Sequence, residues 1–176
     1  MNKNDYATDA DFCLIFQQHL DHLYLLALVL AADELVAEQC LLAAFNLCTE
    51  GGTVFRELAL KWSRRNVIKS AIRLVLPAPY SGSYDHWIKD CSGLKIDQEG
   101  SLKCVQELPS FERFVFAMSV LERYSDRECA LLLSCSYGDI LPARVRAFQQ
   151  MARQVQESHS IGIQPCLVDA DCLECG

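Results

Sequence analysis

Residues 133–148, LSCSYGDILPARVRAF, decide how the second half of the chain folds. A short apolar helix ends in the turn Cys-Ser-Tyr-Gly and another helix follows, which is the layout of a helix-turn-helix. A proline inside a helix removes one hydrogen bond and clashes with the preceding turn. The last helix is therefore predicted to begin after an N-cap at Asp139, which leaves Pro142 in its first turn.

The last helix has two faces that the sequence distinguishes. A four-three spacing predicts that one face packs in the core, and its residues are Leu141, Val145, Phe148, Ala152 and Val155. The opposite face carries Arg146, Gln150 and Arg153, with Arg144 on its flank, and is compatible with contact to duplex DNA. A merely solvated face stays open as an alternative, because recognition helices use their N-terminal residues and this helix begins with an acid, two hydrophobes and a proline.

Start and stop signals divide the first half of the chain into helices. Residues 10–32 are predicted to form one central helix, because the segment is apolar nearly all round after Leu23. Asp33 is a suitable N-cap for a second helix, which the Gly-Gly pair at residues 51–52 ends. Thr53 is predicted to cap a third helix, which Pro77 ends.

The second half adds two helices before the quoted stretch. Pro109 stands early in an amphipathic helix, where its fixed φ is tolerated. Ser125 and Glu128 match the S-x-x-E capping box and are predicted to start a short helix. The predicted fold class is all-α, with two small helical domains joined by a linker. The predicted boundaries are 8–76 for the first domain, 77–106 for the linker, 107–158 for the helix-turn-helix domain and 159–176 for a flexible Cys-containing tail.

Positive charge is concentrated in the predicted third helix. The chain has a net charge of −7, which argues against nonspecific binding of polyanions by the whole surface. Residues 53–76 nevertheless carry six cations against one acid, and four of them recur every four residues as a basic ridge: Lys61, Arg65, Lys69 and Arg73. Arg56 and Arg64 add charge nearby, and Phe55 and Trp62 add rings, a combination that suits single-stranded nucleic acid. An ordinary solvated face, or pairing with the acidic first helices of the same chain or with a partner, stays open as an alternative.

Other kinds of site have weak signals. The chain has ten cysteines, but its acidic N-terminus is no export signal, so a disulfide scaffold is not expected. The longest apolar run has ten residues, too few to cross a bilayer, so the protein is expected to be cytoplasmic and without membrane insertion. His19 and His22 lack a third metal ligand, and Cys166, Cys172 and Cys175 lack a second cysteine pair, so no metal is expected. No phosphate loop, dinucleotide fingerprint or nucleophile elbow occurs, so neither a cofactor nor an enzyme is expected.

Residues 20–155 taken together resemble the extracytoplasmic-function class of bacterial RNA polymerase sigma factors. The segment LYLLALVLAADELVAEQCLLAAF resembles the start of the family's region 2, which binds polymerase. The segment FRELALKWSRRNVIKSAI resembles the adjoining part, which melts and holds the −10 promoter strand. The segment LPSFERFVFAMSVLERYSDRECALLLSCSYG resembles region 4, where the Leu-Pro start, Arg113, Phe116, Ser125, Glu128 and Ser136-x-Gly138 stand in family-like order.

The resemblance implies partners and roles for particular residues. It implies RNA polymerase core and promoter DNA as partners, with an anti-sigma-type regulator as a further one. Polymerase contacts are implied for Asp33, Glu34 and Glu38. DNA contacts are implied for two sets: Arg56, Lys61, Trp62, Arg64, Arg65, Lys69 and Arg73 in the third helix, and Arg144, Arg146, Gln150 and Arg153 in the last.

The chain departs from the family pattern in both working surfaces. After Ala37-Glu38 the family usually has an Asp and then a Gln-Glu pair, whereas this chain has Gln39, Leu42 and Ala43. The family's last helix begins with Thr-Val followed by Lys or Arg, whereas this one begins Asp-Ile-Leu-Pro. The resemblance therefore implies a divergent or degenerate sigma-like transcription factor. The alternatives are a protein-interaction module or regulator that no longer reads DNA, and a thiol or metal sensor that uses the tail.

Overall fold

The computed structural model describes residues 5–50, 53–79 and 100–161, and within them it is all-helical apart from an isolated bridge between Tyr6 and Phe55. The all-α prediction is confirmed. The elements are α1 Asp9–Gln18, α2 Leu20–Ala31, α3 Glu34–Glu50, a 3₁₀ turn Arg56–Leu58, α4 Ala59–Val75, α5 Gly100–Gln106, α6 Ser110–Phe116, a π turn Ala117–Leu121, α7 Asp126–Leu133 and α8 Tyr137–Ile161. The end of the predicted linker is thus helical, as α5, whereas its residues 80–99 lie outside the described ones.

The prediction of one helix over residues 10–32 was wrong. A capping box starts α1, in which the Thr8 backbone N–H donates to Asp11 Oδ2 at 2.8 Å. The helix ends before His19, and α2 leaves at 77° to α1. The bend lets α1 pack against α3 and α4, where the rings of Phe16 and Phe45 meet edge to face with centroids 5.2 Å apart. Tertiary packing, rather than a glycine or proline, therefore breaks this helix.

Helices α2, α3 and α4 pack against one another and form the first helical group. Small buried residues line their contacts and let the backbones approach closely; these are Ala27, Ala37, Cys40, Ala44, Cys48, Ala59 and Ala71.

The predicted N-cap Asp33 is confirmed, since its Oδ1 accepts from the Val36 backbone N–H at 2.9 Å. The predicted cap at Thr53 was wrong. Val54 and Phe55 lie outside any helix, and the Ala7 N–H donates to the Val54 carbonyl at 2.7 Å, so α4 itself begins only at Ala59.

Helices α6, α7 and α8 form the second helical group. The predicted capping box is confirmed, because Ser125 Oγ accepts from the Glu128 N–H at 3.3 Å and Glu128 Oε2 accepts from the Ser125 N–H at 2.9 Å. Helix α6 does not continue to Tyr124 as one regular α-helix but passes into the π turn after Phe116. The chain then leaves the π turn through Arg123, which has a φ of 57°.

Helix α8 starts earlier than predicted. It begins at Tyr137, and Pro142 lies inside it. Ser136 Oγ accepts from the Gly138 N–H at 3.3 Å, while the Asp139 carboxylate accepts from the Ser136 N–H at 3.0 Å. This reciprocal pairing satisfies donors at the helix start.

The predicted core face of α8 was also wrong. Leu141, Val145 and Phe148 are exposed to 56%, 46% and 49%, and Ala152 is exposed as well. Among the described side chains of the helix, Ile140, Ala143 and Ala147 are buried, and Val155 lies outside those described. The two alanines present little bulk toward the protein, so α8 can lie close to α6. Leu141 and Val145 consequently face outward, whereas Phe148 is half-exposed and its ring also meets that of the buried Phe116 edge to face, with centroids 5.5 Å apart.

The two helical groups touch through α2, which contacts α5, α6 and the π turn. Arg113 of α6 is buried there, and its guanidinium donates to the carbonyls of Leu30, Gln106 and Leu108 at 3.1, 2.9 and 2.9 Å. One continuous cluster of buried apolar residues runs through both groups.

No single helix among the described residues is long and apolar enough to span a membrane; α1 and α2 reach that length only as a sharply bent pair.

Candidate nucleic-acid interface

The four cations of the basic ridge lie along α4, and their four-residue spacing places them on one face of that helix. Lys61 and Arg73 are exposed, and Arg65 and Lys69 are half-buried. Over the described ranges 5–50, 53–79 and 100–161, none of these four cations forms an ion pair. The other side of α4 is buried against the first helical group through Ser63, Asn66, Val67, Ile68, Ser70 and Ala71. The ridge therefore presents positive charge on the face of α4 that its own group leaves uncovered.

The two rings predicted to stack on bases are already in contact with other side chains. Phe55 stacks on Tyr6, with centroids 4.9 Å apart and an interplanar angle of 19°. Trp62 is half-buried, and the Lys69 ammonium lies 5.2 Å from the centroid of its ring. This cation–π contact holds Lys69 over the ring, so an incoming base would have to displace the lysine to stack there.

The two cations beside the ridge are paired. Arg56 Nη2 lies 3.2 Å from Asp11 Oδ2, and the pKa of Asp11 is lowered, mainly by hydrogen bonds from Thr8 and further by the charge of Arg56. Arg64 Nη2 lies 2.5 Å from Glu122 Oε1 of the second helical group. Both arginines are thus paired with carboxylates, and binding DNA would require them to exchange carboxylate for phosphate.

An acidic edge, formed by Glu122 and Glu128, flanks the ridge. Glu122 is 9% exposed in its side chain and is held by Arg64. The pKa of Glu128 is lowered, first by the hydrogen bonds from Ser125 and then by the positive charges of Arg65 and Lys61. The sequence interpretation missed both acids as neighbours of the ridge, because it assigned Glu128 only a capping role and no local signal joins α4 to α7.

Three of the four polar residues of α8 predicted to contact DNA are in contact with other parts of the protein. Arg144 donates twice to Asp126, at 2.7 and 3.2 Å, and these hydrogen bonds raise the pKa of Arg144. Arg146 Nε donates to the buried Glu112 at 2.7 Å. Gln150 is half-buried and makes a long 3.5 Å contact with the Glu107 carbonyl, whereas Arg153 is exposed. Three of the four predicted residues therefore attach α8 to the fold.

The residues implied in polymerase binding lie together at the start of α3. Asp33, Glu34 and Glu38 are all exposed, although Asp33 also caps the helix. Leu35 and Leu42, on the same helix, are exposed to 70% and 68%. Helix α3 thus offers a surface that combines carboxylates with apolar side chains.

Cysteines and metal ligands form no site in the described residues. Burial raises the pKa of Cys40 and of Cys129 to about 11, so both thiols stay protonated at neutral pH. No group of three or more His, Cys, Asp or Glu side chains in residues 5–50, 53–79 and 100–161 could hold a metal ion. The cysteines of the predicted tail site, Cys166, Cys172 and Cys175, lie outside those residues.

No protein-family model, curated protein or solved structure matches this chain.

Proposed function

We propose that this chain is a sigma-like transcription regulator that contacts promoter DNA through the basic ridge of α4 and binds RNA polymerase core through α3. The observation that carries the proposal is the ridge itself: four cations on one helix face without an ion-pair partner in the described part of the chain. Phosphate contacts from such a row give affinity and register without requiring base recognition. The resemblance of the α4 segment to the strand-melting part of sigma factors supports the same role.

Reading of a −35 element by α8 is not part of this proposal. Leu141 and Pro142 stand where the family places Lys or Arg, and Leu141 is exposed to 56%. An exposed leucine offers neither the bidentate hydrogen bonds that specify a base pair nor a charge for a phosphate. Two of the three arginines farther along α8, Arg144 and Arg146, pair with Asp126 and Glu112. DNA contact is therefore assigned to α4 alone.

Binding to a promoter-like DNA bubble, measured by fluorescence anisotropy, tests the proposal. If all four ridge cations contact phosphates, the slope of log affinity against log salt is expected to be roughly −3 for single strands. The paired substitution Arg65→Glu with Lys69→Glu is expected to abolish binding. The matched control is Lys103→Glu with Arg127→Glu, which changes the net charge equally at two exposed positions outside α4. Absence of binding at low salt, or equal losses in both variants, would contradict the proposal.

The exposed apolar face of α8 favours a second function, in which the sigma-like frame binds only protein. Leu141, Val145 and Phe148 follow the four-three spacing by which one helix packs against another. We expect the occupant to be RNA polymerase core, since the resemblance implies that partner for the whole frame. In this function Leu141→Glu with Phe148→Glu weakens capture of purified core polymerase. Gln17→Glu with Gln149→Glu, at two exposed polar positions, is expected to leave capture unchanged. Unimpaired capture by the α8 variant would exclude this function.

A further inference from the structure

We infer that the acidic edge of the second helical group lies beside one end of the basic ridge, pairs with the neighbouring Arg64 and thereby weakens DNA binding. The inference rests on the proposed function of the ridge. It adds regulation of that site by the protein's own carboxylates, which compete with DNA phosphates for Arg64 and for the positive charge of Lys61 and Arg65.

The contact between Arg64 and Glu122 fixes the position of this edge. Arg64 belongs to α4, one residue before Arg65 of the ridge, and its guanidinium meets the Glu122 carboxylate at 2.5 Å. The side chain of Glu122 is only 9% exposed, whereas that of Arg64 is 44% exposed. The carboxylate is therefore enclosed between the two helical groups, while the cation still reaches solvent.

The backbone after the π turn directs the acidic edge toward α4. The Glu122 N–H donates to the Ala117 carbonyl and the Tyr124 N–H donates to the Met118 carbonyl, both at 2.9 Å. Between them Arg123 takes a left-handed conformation with a φ of 57°, which turns the chain sharply. Glu128 follows one helical turn into α7, near enough to Lys61 and Arg65 for their charges to act on it.

The edge covers only one end of the ridge. Arg64 pairs with Glu122, and the charges of Lys61 and Arg65 act on Glu128. Lys69 lies over Trp62, and Arg73 is exposed near the end of α4. Anchoring of the two groups by Arg113 keeps the edge in place. A DNA strand can therefore reach the far end of the ridge first, and full contact requires the second group to move aside or its carboxylates to be displaced.

The substitution Glu122→Gln with Glu128→Gln tests the inference in the full chain. Glutamine can replace glutamate in a capping box, so α7 keeps its start. Anisotropy with a 20-nucleotide mixed-sequence single-stranded DNA at low salt is expected to show affinity about tenfold higher or more, because two carboxylates no longer compete with phosphates. The matched control, Asp21→Asn with Glu50→Gln, removes the same charge at two exposed positions and is expected to change affinity about twofold or less.

The outcomes separate this inference from the proposed function. If the native chain binds DNA and loses binding on Arg65→Glu with Lys69→Glu, while the acidic-edge variant matches its control, the function stands and the masking is refuted. If the acidic-edge variant binds tightly and loses that binding when Arg65→Glu and Lys69→Glu are added, both are supported. If the fourfold variant still binds tightly, the ridge is not the site and the proposed function fails. Circular dichroism and thermal unfolding of each variant establish that the fold is retained.

Discussion

At the scale of single residues, Arg113 connects segments that are far apart in the sequence. Leu30 lies at the end of α2, and Gln106 and Leu108 lie at the end of α5, where backbone carbonyls lack helical partners. The guanidinium caps both helix ends, and its positive charge suits the negative ends of their dipoles. Burial lowers the pKa of Arg113, which reflects the cost of enclosing a charge that these carbonyls must offset. Arg113, which belongs to the second helical group, thus caps the ends of α2 and α5.

Replacement of Arg113 by alanine is expected to lower the free energy of unfolding by about 3 kcal/mol or more, because it leaves several buried carbonyls without donors. The measurement is urea unfolding followed by circular dichroism. Arg153→Ala, at an exposed position of α8, serves as the control and is expected to change stability by about 0.5 kcal/mol or less. A similar small loss in both variants would show that Arg113 does not cap the two helices.

Glu128 gives the protein a predictable response to acid. Its pKa in the folded state is lowered from the usual value of 4.5. Its contribution to stability is therefore full above the unfolded pKa and is lost as the pH falls through the folded one. Asp11 acts in the same direction. Thermal unfolding between about pH 6 and about pH 3 is expected to show a falling midpoint, and Glu128→Gln is expected to flatten that fall. An identical pH profile for this variant would contradict the assignment.

At the scale of elements, the face of α8 provides a clear test of the packing. Ile140→Ala is expected to cost about 2–4 kcal/mol of unfolding free energy, because it opens a cavity at a fully buried site. Leu141→Ala removes a similar volume from an exposed site and is expected to cost about 0.5 kcal/mol or less. Chemical denaturation of the two variants decides between the two faces. A larger loss of stability in Leu141→Ala than in Ile140→Ala would show that the core face of α8 is the one that the four-three pattern predicts.

The start of a helix can be predicted from the sequence more reliably than the face that the helix buries. The signals at Asp33 and at Ser125 with Glu128 are local, since each cap needs only a few neighbouring residues, and both are confirmed. The orientation of α8 depends on α6, which approaches closely only because Ala143 and Ala147 are small. A prediction based on large apolar side chains assigns Leu141, Val145 and Phe148 to the core, and so it selects a different face from the one that Ala143 and Ala147 bury.

The candidate site follows the same division between local and distant information. The spacing of the basic ridge is local, and its four cations do share one face of α4. The pairing of Arg64 with Glu122 joins residues 58 positions apart, and that of Arg146 with Glu112 joins residues 34 apart. Nothing in the sequence near either arginine identifies its partner. Which cations remain available to a ligand therefore emerged only from the three-dimensional structure.

At the scale of the whole molecule, the contact between the two helical groups determines how the protein unfolds. Two sigma-like domains joined only by a linker would melt independently, each with its own midpoint. In this structure one buried apolar cluster runs through both groups, and Arg113 and the Arg64–Glu122 pair connect them. Differential scanning calorimetry is accordingly expected to show one transition, with a calorimetric enthalpy about equal to the van't Hoff enthalpy. Two resolved transitions, or a calorimetric enthalpy well above the van't Hoff value, would mean that the two groups fold separately. In that case the contact between them could not keep the acidic edge beside the basic ridge.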